Sequence, residues 1–173
     1  MNHKIVIIGT SACGKTTLAK KLSKILKCDC TDLDDLHWTT GWKQRDPSEK
    51  IALIEKAVEK PSWVISGNYT KSASLIWPHS DMIIWLDIPL ITLLFRATKR
   101  SIRRIIKKEI CCSGNYETWK LFFSSKSIIF WILKTYPRRK KAYTEFFKHP
   151  KKQTLIRITK NSEYQKFMNT FQK

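Results

Sequence analysis

The chain has 173 residues, 42% of them hydrophobic, with seven Trp and a formal charge of +19. That is enough for one well-buried domain and too little for two ordinary ones, and the run Ser127 to Leu133 stops at Lys134, short of the about 18 apolar residues that span a bilayer. Five cysteines, Cys13, Cys28, Cys30, Cys111 and Cys112, show neither C-x-x-C spacing nor a His partner, and nothing at the N-terminus reads as a signal peptide; reduced thiols, a cytoplasmic location and no membrane are expected.

Ile5 to Ile8 predicts a buried strand. Gly9-Thr10-Ser11-Ala12-Cys13-Gly14-Lys15-Thr16 then matches G-x-x-x-x-G-K-[ST], and Thr16 to Lys27 predicts a helix. In this strand–loop–helix context the motif predicts a nucleoside triphosphate site spanning Gly9 to Thr17. Curled backbone N–H groups and the helix N-terminus face the phosphates; Lys15 adds a charge, and the Thr16 hydroxyl is a ligand for Mg²⁺.

Cys28 to Leu33 reads as a second strand running into Asp34, Asp35, His37 and Trp38, and Gly41 to Pro47 as a loop. A helix follows over Ser48 to Lys60 with Ser48 as its cap, ended by Pro61. Ser62 to Ser66 and Met82 to Leu86 are apolar runs suited to parallel strands buried on both faces. Leu90 to about Ile106 is helical, Glu109 to Asn115 irregular, and Tyr116 to Lys148 holds one or two helices broken near Pro137. Thr154 to Ile158 is a last strand before a helix from Ser162. Alternating strands and helices predict an α/β fold with a parallel sheet between helices.

Charge is concentrated late. Residues 1–90 hold 12 Lys+Arg against 10 Asp+Glu, and residues 91–173 hold 21 against 4. Arg96, Lys99, Arg100, Arg103, Arg104, Lys107 and Lys108 recur at helical spacing as one stripe. It reads either as a solvated face or as a surface for nucleic acid, acidic headgroups or polyphosphate.

The phosphate loop, Leu33-Asp34 with Trp38 and Gly41-Trp42, Trp63-Val64-Ile65-Ser66-Gly67-Asn68-Tyr69, and Ile84-Trp85-Leu86-Asp87-Ile88-Pro89 together resemble the adenylate-kinase-like topology modulation proteins. The resemblance continues through Arg96, Arg100, Gly114-Asn115, Glu117 and Arg138-Arg139. It implies a three-layer P-loop fold of the nucleoside-monophosphate-kinase type: a five-stranded parallel sheet flanked by helices, a helical lid, and use of ATP and Mg²⁺. The core would then lie at about 1–95 and 150–173 and the basic lid region at about 96–149. Members of that family carry Asp where this chain has Ser66, a hydroxyl that supplies no charge.

Asp34 is the expected substitute, as metal ligand with Thr16 or as base toward an alcohol acceptor; the alternative is that it faces solvent or caps a helix. Arg96 and Arg100, four apart, match the R-x-x-x-R lid entry of nucleotide kinases and are expected to act with Lys15 on the transferring phosphoryl group. Arg138, Arg139 and Glu117 are weaker candidates, as are His37, Trp38 and Trp42. Asp87 is expected to cap the following helix, and Thr159-Lys160-Asn161 to border the adenine. The expected activity is transfer of the γ-phosphoryl of Mg-ATP to a nucleotide or small-molecule acceptor, bound between Asp34–Trp42 and Gly67-Asn68-Tyr69, by a monomer or homodimer. The alternatives are a nucleic-acid-associated or regulatory ATP-binding protein and a nucleotide sensor without turnover.

Overall fold

Four apolar residues in succession, Ile5-Val6-Ile7-Ile8, need cover on both faces of their strand, and the fold supplies it with two helical layers. The structure is a computed structural model that describes residues 3–68, 70–149 and 151–171. In chain order its elements are β1 (Lys4–Gly9), α1 (Lys15–Leu26), β2 (Asp29–Asp32), α2 (Leu33–His37), β3 (Trp38–Thr39), β4 (Lys43–Gln44), α3 (Pro47–Val58), β5 (Trp63–Ser66) and α4 (Thr70–Ile76). They continue with β6 (Met82–Leu86), α5 (Leu90–Lys107), β7 (Ile110–Cys111), β8 (Asn115–Tyr116), α6 (Trp119–Phe122), α7 (Ile128–Lys148), β9 (Thr154–Ile158) and α8 (Asn161–Asn169).

The main sheet has five parallel strands in the order β2-β5-β1-β6-β9. The chain runs from β1 to the β2 edge, returns through β5, and then crosses to the other side of β1. The carboxyl end of β1 therefore lies at the switch point, where open α/β sheets bind ligands. On one face Ile5, Ile7, Val64, Ile84 and Leu86 pack against α1, α5 and α8. On the other, Val6, Ile8, Trp63, Ile65 and Trp85 pack against α2, α3 and the C-terminal half of α7. Helix α7 serves both layers: its Ile132 belongs to the first cluster, while Tyr143, Phe146 and Phe147 border the second.

Several local expectations are corrected. Asp46, not Ser48, caps α3, accepting from the amides of Ser48 (2.8 Å) and Glu49 (3.4 Å). Pro47, whose fixed φ suits the first helical position, moves the start forward. Helix α7 runs unbroken through Pro137. The carbonyl that Pro137 cannot reach belongs to Leu133, on the exposed face where water satisfies it, while buried Ile132 and Thr135 hold the helix to the core. The segment 109–115 is a hairpin, β7–β8, rather than irregular chain. Within 96–149, Ala97, Ser101, Ile132 and Thr135 are buried in the body of the protein. Among the described residues no helix is long and apolar enough to cross a membrane.

Gly67 follows β5 at φ 151°, and a Cβ there would stand 2.6 Å from the Leu33 Cβ. Gly67→Ala is therefore expected to displace buried Leu33 and cost about 1–3 kcal/mol, measured as a lowered urea midpoint with unchanged slope.

Candidate active site

Gly14 caps α1 in a left-handed conformation (φ 102°) that few other residues adopt, and no side chain bonds to the first helical amides. The N-terminus of α1 thus directs open N–H donors and the positive end of its dipole at the loop. Within the loop Thr10 and Cys13 are buried, Ser11, Ala12 and Lys15 half-buried, and Thr16 and Thr17 exposed. Cys13 packs in the core rather than toward a ligand. The Lys15 ammonium folds back and donates to the carbonyls of Gly9 (2.8 Å) and Thr10 (3.2 Å).

Asn68 holds this loop from outside. Its Oδ1 accepts from the Gly9 amide (2.9 Å), its Nδ2 donates to the Gly9 carbonyl, and the Tyr143 hydroxyl of α7 donates to the same Oδ1 (3.1 Å). Burial pushes the Tyr143 phenol up to about 12, which keeps it a donor. The sequence placed Asn68 beside the acceptor with Tyr69; the structure turns it toward the phosphate loop, and Tyr69 lies outside the described residues.

The carboxylate brought to Thr16 is Asp32, not Asp34. The Thr16 hydroxyl donates to Asp32 Oδ2 at 2.5 Å, and Asp32 Oδ1 also accepts from the Asp34 amide (3.0 Å) as the cap of α2. Strand alternation stops at Asp32 because a helix begins there, so Asp34 does not share its face. Asp34 instead lies in the electrostatic surroundings of His37, Lys50, Arg100 and Cys112. Ser66 is paired in register with Asp32 and projects to the α1 side of the sheet, as Val64 does two residues earlier. Its hydroxyl is fully buried and has no partner among the described residues. Thr16, Asp32 and Ser66 together form an all-oxygen donor set of the kind a hard cation takes. The described residues contain no group of three or more His, Cys, Asp or Glu that could hold a metal.

Cations face this from α5. Arg100 is half-buried, and its Nε has no partner among the described residues. Burial works against its charge, reinforced by Arg104 and opposed by Glu117, Cys112 and Asp34; a guanidinium nonetheless stays charged. Arg104, one turn on, is neutralised by Glu117 at 2.7 Å. Arg96 is exposed. Arg138 is exposed as well, and Arg139 lies over the Trp131 ring (5.6 Å). Asp87 does not cap α5. It is 4% exposed and bonds Lys140 (2.6 and 2.7 Å) and Arg157 (2.5 and 2.9 Å). Thr159 and Lys160 are tied by their amides to the Glu163 carboxylate.

Two hairpins, β3–β4 and β7–β8, are joined by side chains. The Trp42 amide donates to Asn115 Oδ1 (2.7 Å) and its indole N–H to the Tyr116 carbonyl (3.1 Å), while Asn115 Nδ2 donates to the carbonyls of Thr39 (2.9 Å) and Cys112 (2.6 Å). Ser113 Oγ donates to the Asp35 carbonyl (2.8 Å). Trp38 meets Trp42 edge to face at 5.6 Å, and His37 Nδ1 lies 3.4 Å from the Lys50 ammonium. Sequence reasoning grouped Gly114-Asn115 with the resemblance but had no signal that Asn115 would join these hairpins.

No family model matches the chain. The protein YqaC of Bacillus subtilis (strain 168), itself described as uncharacterized, is 28% identical over 130 residues, which are 74% of this chain and 73% of that one. Among solved structures, the shikimate kinase of Bacteroides thetaiotaomicron is similar with a TM-score of 0.58 at 14% identity, covering 99% of both chains. The shikimate kinase of Acinetobacter baumannii in complex with shikimate gives 0.57 at 15% identity, over 99% of this chain and 92% of that one. A sugar kinase from Janibacter sp. HTCC2649 gives 0.51 at 14% identity, over 92% and 86%. The chain therefore has a P-loop NTPase fold of the kinase type.

Asn68→Ala removes both bonds to Gly9, each worth about 1 kcal/mol. Affinity for a non-hydrolysable ATP analogue is expected to fall about tenfold by calorimetry, with a smaller loss in Tyr143→Phe; unchanged affinity in both would show that the loop needs no brace.

Proposed function

We propose that this protein is an ATP-dependent phosphotransferase acting on a nucleotide or a small hydroxyl-bearing acceptor. The observation that carries the reading is the bond from the phosphate-loop Thr16 to Asp32, beside the orphaned Ser66 hydroxyl. ATP would lie along Gly9 to Thr17. Lys15 would exchange the Gly9 and Thr10 carbonyls for the β- and γ-phosphates, while the open amides of α1 hold the remaining oxygens. Thr16 and Asp32, with Ser66 behind them, would hold Mg²⁺, which supplies charge neutralisation on the phosphates. Arg100 would stabilise charge on the transferring group. Asp34, separated from the metal side by the turn into α2, is assigned to the acceptor hydroxyl, orienting it and taking its proton. Arg96 would join only if its part of α5 approached the bound phosphates.

Phosphate transfer from labelled Mg-ATP to a panel of nucleotides, nucleosides, sugars and hydroxy acids tests this. One acceptor class is expected to be labelled, with loss of transfer in Lys15→Ala and a fall in kcat of about 10²-fold or more in Asp34→Asn. Intact ATP binding with no labelled acceptor, and turnover restored by Ser66→Asp, would instead identify a nucleotide sensor lacking its metal acid.

A second reading, contact with nucleic acid, is favoured by one surface. Residues 118–144 contain no Asp or Glu, and Trp119, Phe123, Phe130 and Trp131 are exposed there beside Lys120, Lys126, Lys134 and Arg138. Aromatic faces among cations are the usual platform for single strands. Binding of an oligonucleotide would then weaken steeply between about 50 and 200 mM salt while ATP affinity barely changes; absence of binding at low salt rules this reading out.

A further inference from the structure

Cys111 and Cys112 take no part in the steps above. They are consecutive residues where β7 enters its turn, Cys111 buried and Cys112 half-buried, and the turn continues with positive φ at Cys112 (41°) and Ser113 (59°). Adjacent in the chain, the two thiols influence each other's protonation, with Arg104, Arg100 and Glu117 in the electrostatic surroundings of Cys111 and Asp34 and Arg104 in those of Cys112. The neighbouring Cys112 lowers the Cys111 thiol despite burial and Glu117, with Arg104 and Arg100 assisting. The same coupling, burial and Asp34 push Cys112 up. Two adjacent thiols at one turn, with the thiolate favoured at Cys111 over Cys112, give the pairing of nucleophile and resolving group found at oxidant-sensitive sites. The other thiols lack it: Cys13 has no cysteine next to it in the chain, and burial raises Cys28 and Cys30.

We propose that Cys111 and Cys112 form a reversible oxidation site, at which a hydroperoxide joins the two thiols as a disulfide and releases the β7–β8 hairpin from the acceptor-side hairpin. The Cys111 thiolate attacks the peroxide oxygen, the O–O bond breaks, and the departing alkoxide or hydroxide takes a proton from water, leaving a sulfenic acid. The Cys112 sulfur then attacks Cys111, and hydroxide leaves with the Cys112 proton as water. Two thiols are oxidised, and the peroxide is reduced to an alcohol (or water) and one further water.

The backbone makes this oxidation mechanical. Consecutive Cα atoms across a trans peptide are about 3.8 Å apart, whereas disulfides usually join Cα atoms at about 4.4 Å or more. Closing the ring therefore has to move the Cys111–Cys112 peptide. Cys111 is paired with Asn115 in the hairpin, and the Cys112 carbonyl accepts from Asn115 Nδ2. Asn115 is also the residue that holds Trp42 and Thr39, so displacement at the cysteines reaches the acceptor side through one side chain.

The test does not depend on phosphotransfer. The full chain is treated with hydrogen peroxide, remaining thiols are blocked, and peptides are mapped alongside amide exchange over residues 38–44. The peptide holding Cys111 and Cys112 is expected to lose two hydrogens and regain them with a dithiol reductant. The Trp42 amide should exchange at least about tenfold faster in the oxidised protein. Cys112→Ser should stop at a sulfenic acid on Cys111, trapped by a cyclic 1,3-dione. Oxidation confined to exposed Cys30 would overturn the proposal, as would a disulfide that leaves Trp42 exchange unchanged.

Discussion

A loop that binds phosphate must keep its amide groups unbonded to the rest of the protein, and that open backbone has to be held in shape by everything around it. The sheet does the first part. Strands β5 and β6 flank β1, so Gly9 emerges from the centre of a layer covered on both sides. Asn68 does the second, taking both polar groups of Gly9 and passing the restraint to α7 through Tyr143. The Lys15 ammonium donates to the same Gly9 carbonyl, which holds its charge against the loop.

Charges around the loop are sorted by partner. Arg104 is answered by Glu117, and Asp87 by Lys140 and Arg157, and these are architectural pairs. Arg100 is left with a buried Nε that nothing among the described residues satisfies, and Ser66 with a buried hydroxyl in the same condition. Leaving a buried polar group unpaired costs about 1–3 kcal/mol, a cost that an incoming ligand can offset. Ser66 is in register with Asp32, and Arg100 has Asp34 in its electrostatic surroundings.

The β7–β8 hairpin meets the β3–β4 hairpin at Asn115. Asn115 is 3% exposed and bonds Trp42, Thr39 and Cys112, and the bonds from Trp42 to Tyr116 and from Ser113 to Asp35 add to its hold on a hairpin of four paired residues. A short hairpin with few buried apolar contacts opens at low free energy, which is the property a lid requires. The adjacent cysteine pair sits where a small covalent change meets this weak point.

The phosphate loop and the strands were legible in the sequence because both depend on local order. A G-x-x-x-x-G-K-T string curls its own backbone, and Ile5 to Ile8, Trp63 to Ser66 and Met82 to Leu86 are buried whichever way the sheet is assembled. Roles that depend on where a short segment bends were not. Asp32 and Asp34 were read as one face of a continuing strand, yet the helix beginning at Leu33 separates them and gives Asp32 to Thr16. Pro137 looked like a break, although a prolyl ring on a solvent face leaves a helix that is anchored on both sides intact. The sequence by itself determined the chemistry of the loop and the layered α/β architecture, because motif and periodicity act within a few residues. Only the tertiary structure decided which acid meets Thr16, that Asn68 braces Gly9 across 59 residues, and that Asn115 reaches Trp42 across 73. Those contacts are made by side chains whose neighbours come from distant chain, and no local pattern encodes them.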